Sequence, residues 1–144
     1  DASSLALKND PSTLPALMGK MKAADSGVRY WGIVGCFMLQ DKTKIDIETM
    51  TPFLKDESHE VRAIAAWMFY KAGQKDIAKK TWNDLLSNSS YASLKITNII
   101  DWIGEGTSDY EEAIKACKFS HGGYVDRMKE YFGYAKPKGK QKKK

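Results

Sequence analysis

Apolar positions recur along this chain in blocks separated by a fixed distance. Three blocks open with an apolar residue and a basic one, and each then continues as an apolar run. The opening pairs, 33 residues apart, are Val28-Arg29, Val61-Arg62 and Leu94-Lys95. A fixed period between about 20 and 50 residues is typical of solenoids, whose stacked units share a continuous core. The pattern therefore predicts an all-α superhelix of about four two-helix repeats with a period near 33 residues.

Each repeat is expected to contain an outer amphipathic helix and an inner helix that is apolar almost all round. Outer helices are predicted over 11–21, with Asp10 or Ser12 as N-cap, over 76–87, and after a cap at Ser108. The outer helix near 47–54 contains Pro52, which proteins tolerate only in a first helical turn or at a kink. We therefore expect a short helix capped by Thr51, or a bend, at that place.

Three inner helices are predicted from the same pattern. The first follows the turn at 24–27, the second runs from the cap Ser58 to a stop near Gly73, and the third ends at Gly104. A break at 121–123 precedes a last helix over 124–132, which is more polar and aromatic than the others. Such a helix is typical of the unit that closes a repeat array.

The net charge of +5 is concentrated at the C-terminus. Residues 136–144 hold six lysines and no acid, so the remaining chain has 17 basic and 18 acidic residues, a net charge of −1. We divide the chain into a helical repeat domain over 1–135 and a lysine-rich tail over 136–144. A disordered, solvated tail is favoured over a binding arm. The charge of the folded part argues against nucleic acid as a partner.

Few residues offer catalytic, metal-binding or membrane chemistry. His59 is expected at an exposed helix start and His121 in a turn, and neither has a nucleophile at a suggestive spacing. Cys36 and Cys117 lack the spacing of a metal site and are predicted to be small core residues. No run approaches the roughly 18 apolar residues that cross a bilayer. The sequence assigns this chain no catalytic residue, cofactor, metal or membrane span.

Arg29, Arg62 and Lys95 are expected at the starts of successive inner helices. A cation in the first turn of a helix opposes the helix dipole, so its recurrence needs a reason. One interpretation is a ladder in which each cation reaches an acid of an adjoining turn, with Asp25 and Asp56 as available partners. The other is an anion-binding strip along the concave face. We favour the ladder, because paired charges at repeat junctions fix the register.

Tryptophans occupy apolar helix positions, where core packing accounts for most of them. Trp31, together with the neighbouring Tyr30, is the best candidate for contact with a partner, since both lie beside Arg29 at the edge of a repeat. The four tryptophans are Trp31, Trp67, Trp82 and Trp102.

One stretch of the chain resembles a known family. The segment DSGVRYWGIVGCFMLQD follows NDPSTLPALMGKM and precedes DESHEVRAIAAWMFYKAG. It is similar to the HEAT-like, or armadillo-like, repeat domain at the C-terminus of some secreted bacterial sulfatases of the arylsulfatase or heparan N-sulfatase-like type. In these a VRYW-like motif opens an inner helix after a short acidic turn. The resemblance covers residues 9–104.

The resemblance implies a parent enzyme that hydrolyses sulfate esters with a formylglycine and a calcium ion. The formylglycine arises from a Cys/Ser-x-Pro-x-Arg motif, which this chain lacks. The resemblance thus implies a non-catalytic accessory domain that contacts the parent's catalytic domain or another protein, exported to the periplasm or outside the cell. The alternative is a stand-alone HEAT-like protein that binds nucleic acid, through Arg29, Arg62, Lys95 and the tail, or a protein partner.

Overall fold

A computed structural model describes residues 1–118 and 123–139, and these residues are all-helical, with no strand among them. His121, the turn that it was expected to form, and residues 140–144 of the lysine tail lie outside the described residues. The chain divides into two compact units, Asp1–Trp82 and Asn83–Lys144. The expectation of an all-α fold is confirmed for the described residues.

The first unit contains four complete α-helices. They are α1 (Ala2–Leu7), α2 (Leu14–Lys20), α3 (Ser26–Leu39) and α4 (His59–Lys71). Two 3₁₀ helices, Pro11–Thr13 and Ile47–Lys55, precede α2 and α4. The next helix, α5 (Lys75–Ser87), spans the boundary of the two units.

The described residues of the second unit form three further α-helices and one short 3₁₀ helix. The α-helices are α6 (Ser93–Ile103), α7 (Glu111–Ala116) and α8 (Tyr124–Tyr131), and the 3₁₀ helix Ser108–Tyr110 leads into α7. Glycine with positive φ ends α6, because Gly104 has a φ of 72° that a side chain would strain. α6 packs against α8 within this unit.

Local capping explains where several helices begin. The carboxylate of Asp25 accepts a hydrogen bond from the backbone N–H of Val28 at the start of α3. Ser58 caps α4 in the same way through the N–H of Val61. Asp10 caps the first 3₁₀ helix. These polar residues satisfy donors that the first turn of a helix leaves without partners.

Three helical elements differ from the sequence prediction. No helix was predicted over residues 2–7, where α1 forms with Asp1 as its N-cap. Ser108 is the first residue of a 3₁₀ turn, so it does not cap α7 directly. The element around Pro52 is a nine-residue 3₁₀ helix with Asp46, not Thr51, as its cap. Proline lacks an N–H and disrupts an α-helical interior, which accounts for the tighter and less regular winding.

The core of the first unit forms where α2 and α4 pack against α3. Leu17, Ile33, Leu39 and Met68 are completely buried in it. A Cβ atom added to Gly35 would lie 2.5 Å from Cδ2 of Leu17, so glycine at this position leaves room for the Leu17 side chain to pack against α3.

The tryptophan side chains follow the core prediction only in part, because Trp31 and Trp67 are half-buried. Trp82 is completely buried and donates through Nε1 to the carbonyl of Ala63, at 3.1 Å. Cys36 and Cys117 are both buried, as predicted. Trp102 is 81% exposed, which contradicts a core position. Trp102 lies at the end of α6, next to Ile103. The sequence remains apolar there, but the Trp102 side chain is not covered.

Candidate interaction site

Arg29 lies at the centre of a buried charge network in the first unit. It is in the first turn of α3, and the residue is only 8% exposed. Its Nε and Nη2 atoms donate to the two carboxylate oxygens of Asp56, each at 2.9 Å. Its Nη1 atom donates to the carbonyls of Ala23 and Ala24, at 3.0 and 2.6 Å. This bidentate geometry is the one that a guanidinium fork and a carboxylate fit best.

Asp56 joins the starts of α3 and α4. Its side chain is 9% exposed, and it also accepts the backbone N–H of Ser58 at 2.8 Å. The Nε atom of Arg62, on α4, donates to the backbone carbonyl of Asp56. Arg29 of α3 and Arg62 of α4 therefore converge on the same residue.

The surroundings of Asp56 stabilise its charged form. Burial by itself raises the pKa of this carboxyl, but hydrogen bonds from Arg29 and Ser58 and the charges of Arg29 and Arg62 outweigh burial. The net effect is a pKa below the ordinary value. The hydrogen bonds that Arg29 donates to Asp56 also raise the pKa of Arg29. The pair is fully charged at neutral pH.

The predicted set of three cations is only partly brought together. Arg29 and Arg62 share Asp56, whereas Asp25 caps α3. Lys95 lies on α6 in the second unit, where it is half-buried. Because the guanidinium N–H groups of Arg29 already have acceptors within the protein, Arg29 is poorly suited to bind a phosphate.

One side of α3 carries apolar and aromatic residues that are only half-buried. Tyr30, Val34 and Phe37 follow the spacing i, i+4, i+7, which places them on one side of the helix. Each packs on the core with one part of its surface and remains accessible with the rest. Trp31 is half-buried as well and makes an edge-to-face contact with Tyr30, with the ring centroids 5.8 Å apart.

α4 extends this surface. The rings of Phe37 and Trp67 are in contact, with centroids 4.5 Å apart. The ammonium of Lys71 lies 4.7 Å from the centroid of the Phe37 ring and 2.7 Å from a carboxylate oxygen of Asp41. We refer to Tyr30, Trp31, Val34, Phe37 and Trp67 as the α3–α4 face.

Sequence reasoning identified only part of the α3–α4 face. Tyr30 and Trp31 were named as candidate contacts, and the structure adds Val34, Phe37 and Trp67. The i, i+4, i+7 spacing along α3 was a readable signal for Val34 and Phe37. The contact between Phe37 and Trp67 joins residues 30 positions apart in the chain, and no local pattern indicates it.

Other chemistry is sparse in the part of the chain that the structure describes. His59 is half-buried at the start of α4. Within residues 1–118 and 123–139, no three His, Cys, Asp or Glu side chains are grouped as a metal would need. No helix among the same residues has the length and apolarity to span a membrane.

Comparison with known proteins adds no relative. No protein-family model, curated protein or solved structure matches the chain.

Proposed function

We propose that this chain is a HEAT-like helical repeat module that binds a protein partner through the α3–α4 face. In its most specific form, the proposal is that the module is the accessory domain of a larger, exported sulfatase-like hydrolase. The observation that carries the binding role is the α3–α4 face itself, a set of half-buried apolar and aromatic residues held on two packed helices.

The spacing of helix ends supports the repeat interpretation. The helices α1, α3, α4 and α6 end at Leu7, Leu39, Lys71 and Ile103, so that successive ends are 32 residues apart. The three predicted inner helices and the unpredicted α1 thus stop at a regular interval, although their lengths differ. A regular interval is what a repeated supersecondary unit would produce.

The composition of the α3–α4 face supports a protein partner. Aromatic residues are enriched in protein interfaces, and tryptophan and tyrosine supply most binding hot spots. Contiguous accessible apolar patches commonly mark interaction sites in soluble proteins. The Arg29–Asp56 network lies at the N-terminal end of α3, where it ties α3 to the start of α4. These contacts would hold Tyr30 and Trp67 in fixed positions and so reduce the conformational entropy lost on binding.

The sulfatase assignment rests on the sequence resemblance. The chemistry that it implies, a formylglycine and a calcium ion, would belong to a separate catalytic domain. None of the four prolines of this chain lies in a Cys/Ser-x-Pro-x-Arg sequence, so these residues do not fit a formylglycine site.

The reading frame upstream of the codon for Asp1 tests this assignment most directly. A formylglycine motif behind a signal peptide would support it. A start codon a few residues before Asp1 would refute it and leave the stand-alone alternative.

Binding to the partner tests the α3–α4 face. With an upstream catalytic domain in hand, we expect Tyr30→Ala and Trp67→Ala each to weaken its binding to this chain at least tenfold, as hot-spot truncations do. Trp102→Ala is the matched control, because it removes an exposed aromatic residue of the second unit. Equal losses in all three variants would refute a specific role for the face. Circular dichroism of each variant shows whether it remains folded.

The nucleic-acid alternative makes a different prediction. It requires an affinity for DNA or RNA that falls steeply with salt and drops when residues 136–144 are removed. The buried, paired state of Arg29 argues against it. Salt-dependent binding that Arg29→Met abolishes would revive this alternative.

A further inference from the structure

The helix α8 in the second unit exposes a row of aromatic and basic side chains. Tyr124, Arg127 and Tyr131 follow the spacing i, i+3, i+7, and all three are exposed. The exposed fractions are 55% for Tyr124 and 68% for Tyr131. Val125, on the other side of the helix, is buried and anchors α8 to its unit. The row is therefore an outward face of a packed helix, and we refer to it as the α8 face.

Arg127 is the cation of this face. Its guanidinium carbon lies 5.2 Å from the centroid of the Tyr124 ring. A cation–π contact restrains the guanidinium but leaves its N–H donors without conventional acceptors. No carboxylate in the described part of the chain forms an ion pair with Arg127, in contrast to Arg29 in the first unit. Arg127 is thus oriented and available to an external anion.

The acids next to Arg127 are engaged by the segment that follows α8. The ammonium of Lys138 lies 3.6 Å from a carboxylate oxygen of Asp126, and its backbone N–H donates to Glu130 at 3.3 Å. Lys136 is exposed in the same segment. The negative charges that would repel an anionic ligand are therefore partly neutralised within the chain.

We propose that the α8 face binds an anionic polysaccharide. Tyr131 is seven positions after Tyr124 on α8, a distance of about 10 Å along the axis. Tyrosine offers an apolar ring with a hydroxyl at its tip, which suits the C–H faces and hydroxyls of a sugar ring. Arg127 lies between the two tyrosines along the helix, and its planar fork matches a sulfate or carboxylate group bidentately.

Two other anionic partners fit this face less well. Single-stranded nucleic acid is held by a positively charged groove that tracks its backbone together with several stacked bases, and the α8 face offers one cation, Arg127. A lipid surface needs a helix with substantial apolar area, and α8 has no Trp, Phe, Leu or Ile between Tyr124 and Tyr131. The recognised feature is therefore an oxyanion on a sugar chain.

Binding of the full chain to fluorescein-labelled dextran sulfate, followed by anisotropy, tests the proposal. We expect Arg127→Ala to weaken binding about tenfold, the scale of one charge-assisted bidentate contact. Lys20→Ala is the matched control, since it removes one exposed positive charge in the first unit and is expected to bind as the wild type does. Arg127→Lys keeps the charge but loses the fork, and it should remain at least threefold weaker than wild type.

Several outcomes would overturn the proposal. Equal binding by Arg127→Ala and Lys20→Ala would show that only net charge matters. Binding to uncharged dextran as tight as to dextran sulfate would remove the role of the oxyanion. Tighter, Arg127-dependent binding to oligo(dT) or to phosphatidylserine vesicles would replace the polysaccharide with nucleic acid or lipid. None of these outcomes bears on the proposed function, because that function depends on the α3–α4 face in the first unit.

Discussion

Asp56→Ala is a substitution for which the structure predicts a large loss of stability in the first unit. It removes both carboxylate acceptors of Arg29 and the acceptor of the Ser58 N–H. Arg29 would keep two backbone carbonyls and Glu57, whose carboxylate lies 3.2 Å away on a side chain that is 81% exposed. Removing one partner of a buried ion pair costs about 3–5 kcal/mol, because the other charge stays buried.

Glu57 lowers that cost by supplying a second, more solvated carboxylate. We therefore expect Asp56→Ala to lower the free energy of unfolding by about 3 kcal/mol, the lower end of the range for such pairs. A loss of this size is a large fraction of the roughly 5–15 kcal/mol that stabilises a typical domain.

Urea denaturation followed by tryptophan fluorescence measures the effect. Of the four tryptophans, Trp31, Trp67 and Trp82 lie in the first unit and Trp102 in the second. In a Trp102→Phe background the fluorescence reports the first unit alone.

A double-mutant cycle with Arg29→Met then isolates the pair. We expect the double variant to be markedly more stable than the sum of the single losses implies, since it leaves no uncompensated charge. A loss below about 1 kcal/mol for Asp56→Ala, or full additivity in the cycle, would refute the reasoning, because exposed pairs behave that way.

Three further predictions concern single positions. Because the pKa of Asp56 is lowered in the folded state, its stabilising contribution should be complete above the unfolded pKa of about 3.9 and lost as the pH falls through the folded value. Asp56→Asn should lack this acid-dependent term in urea titrations. Gly35→Ala should cost about 1–3 kcal/mol through overpacking against Leu17, whereas Gly19→Ala, with open space around it, should stabilise by about 0.5–1 kcal/mol. Burial raises the pKa of the Cys36 thiol to about 11, so in a Cys117→Ala background Ellman's reagent at pH 8 should label it only after unfolding.

Each of these has a contradicting result. If the free energy of unfolding falls equally with acid pH in wild type and in Asp56→Asn, protonation of Asp56 is not linked to unfolding. Similar stabilities for Gly35→Ala and Gly19→Ala would mean that Leu17 moves aside at no cost. Rapid labelling of native Cys36 would show that the core around α3 opens readily.

Much of the helical layout was readable from local sequence. Ser58 starts α4 because its hydroxyl can accept a first-turn N–H, and Gly104 ends α6 because it tolerates positive φ. The predicted last helix over 124–132 corresponds to α8, which ends one residue earlier. Such signals depend on neighbours within a few residues, so the sequence contains them directly.

Sequence by itself also determined the composition of the candidate surfaces, including Tyr30, Trp31 and the three recurring cations. Only the tertiary structure decided their roles. Arg29 pairs with Asp56 because α3 and α4 begin side by side, and Trp102 is exposed because no neighbouring element covers the end of α6 within the described chain. Apolar periodicity shows which side of a helix can be buried. Packing between elements distant in sequence decides how much of that side is buried, which residues remain accessible, and which charges meet.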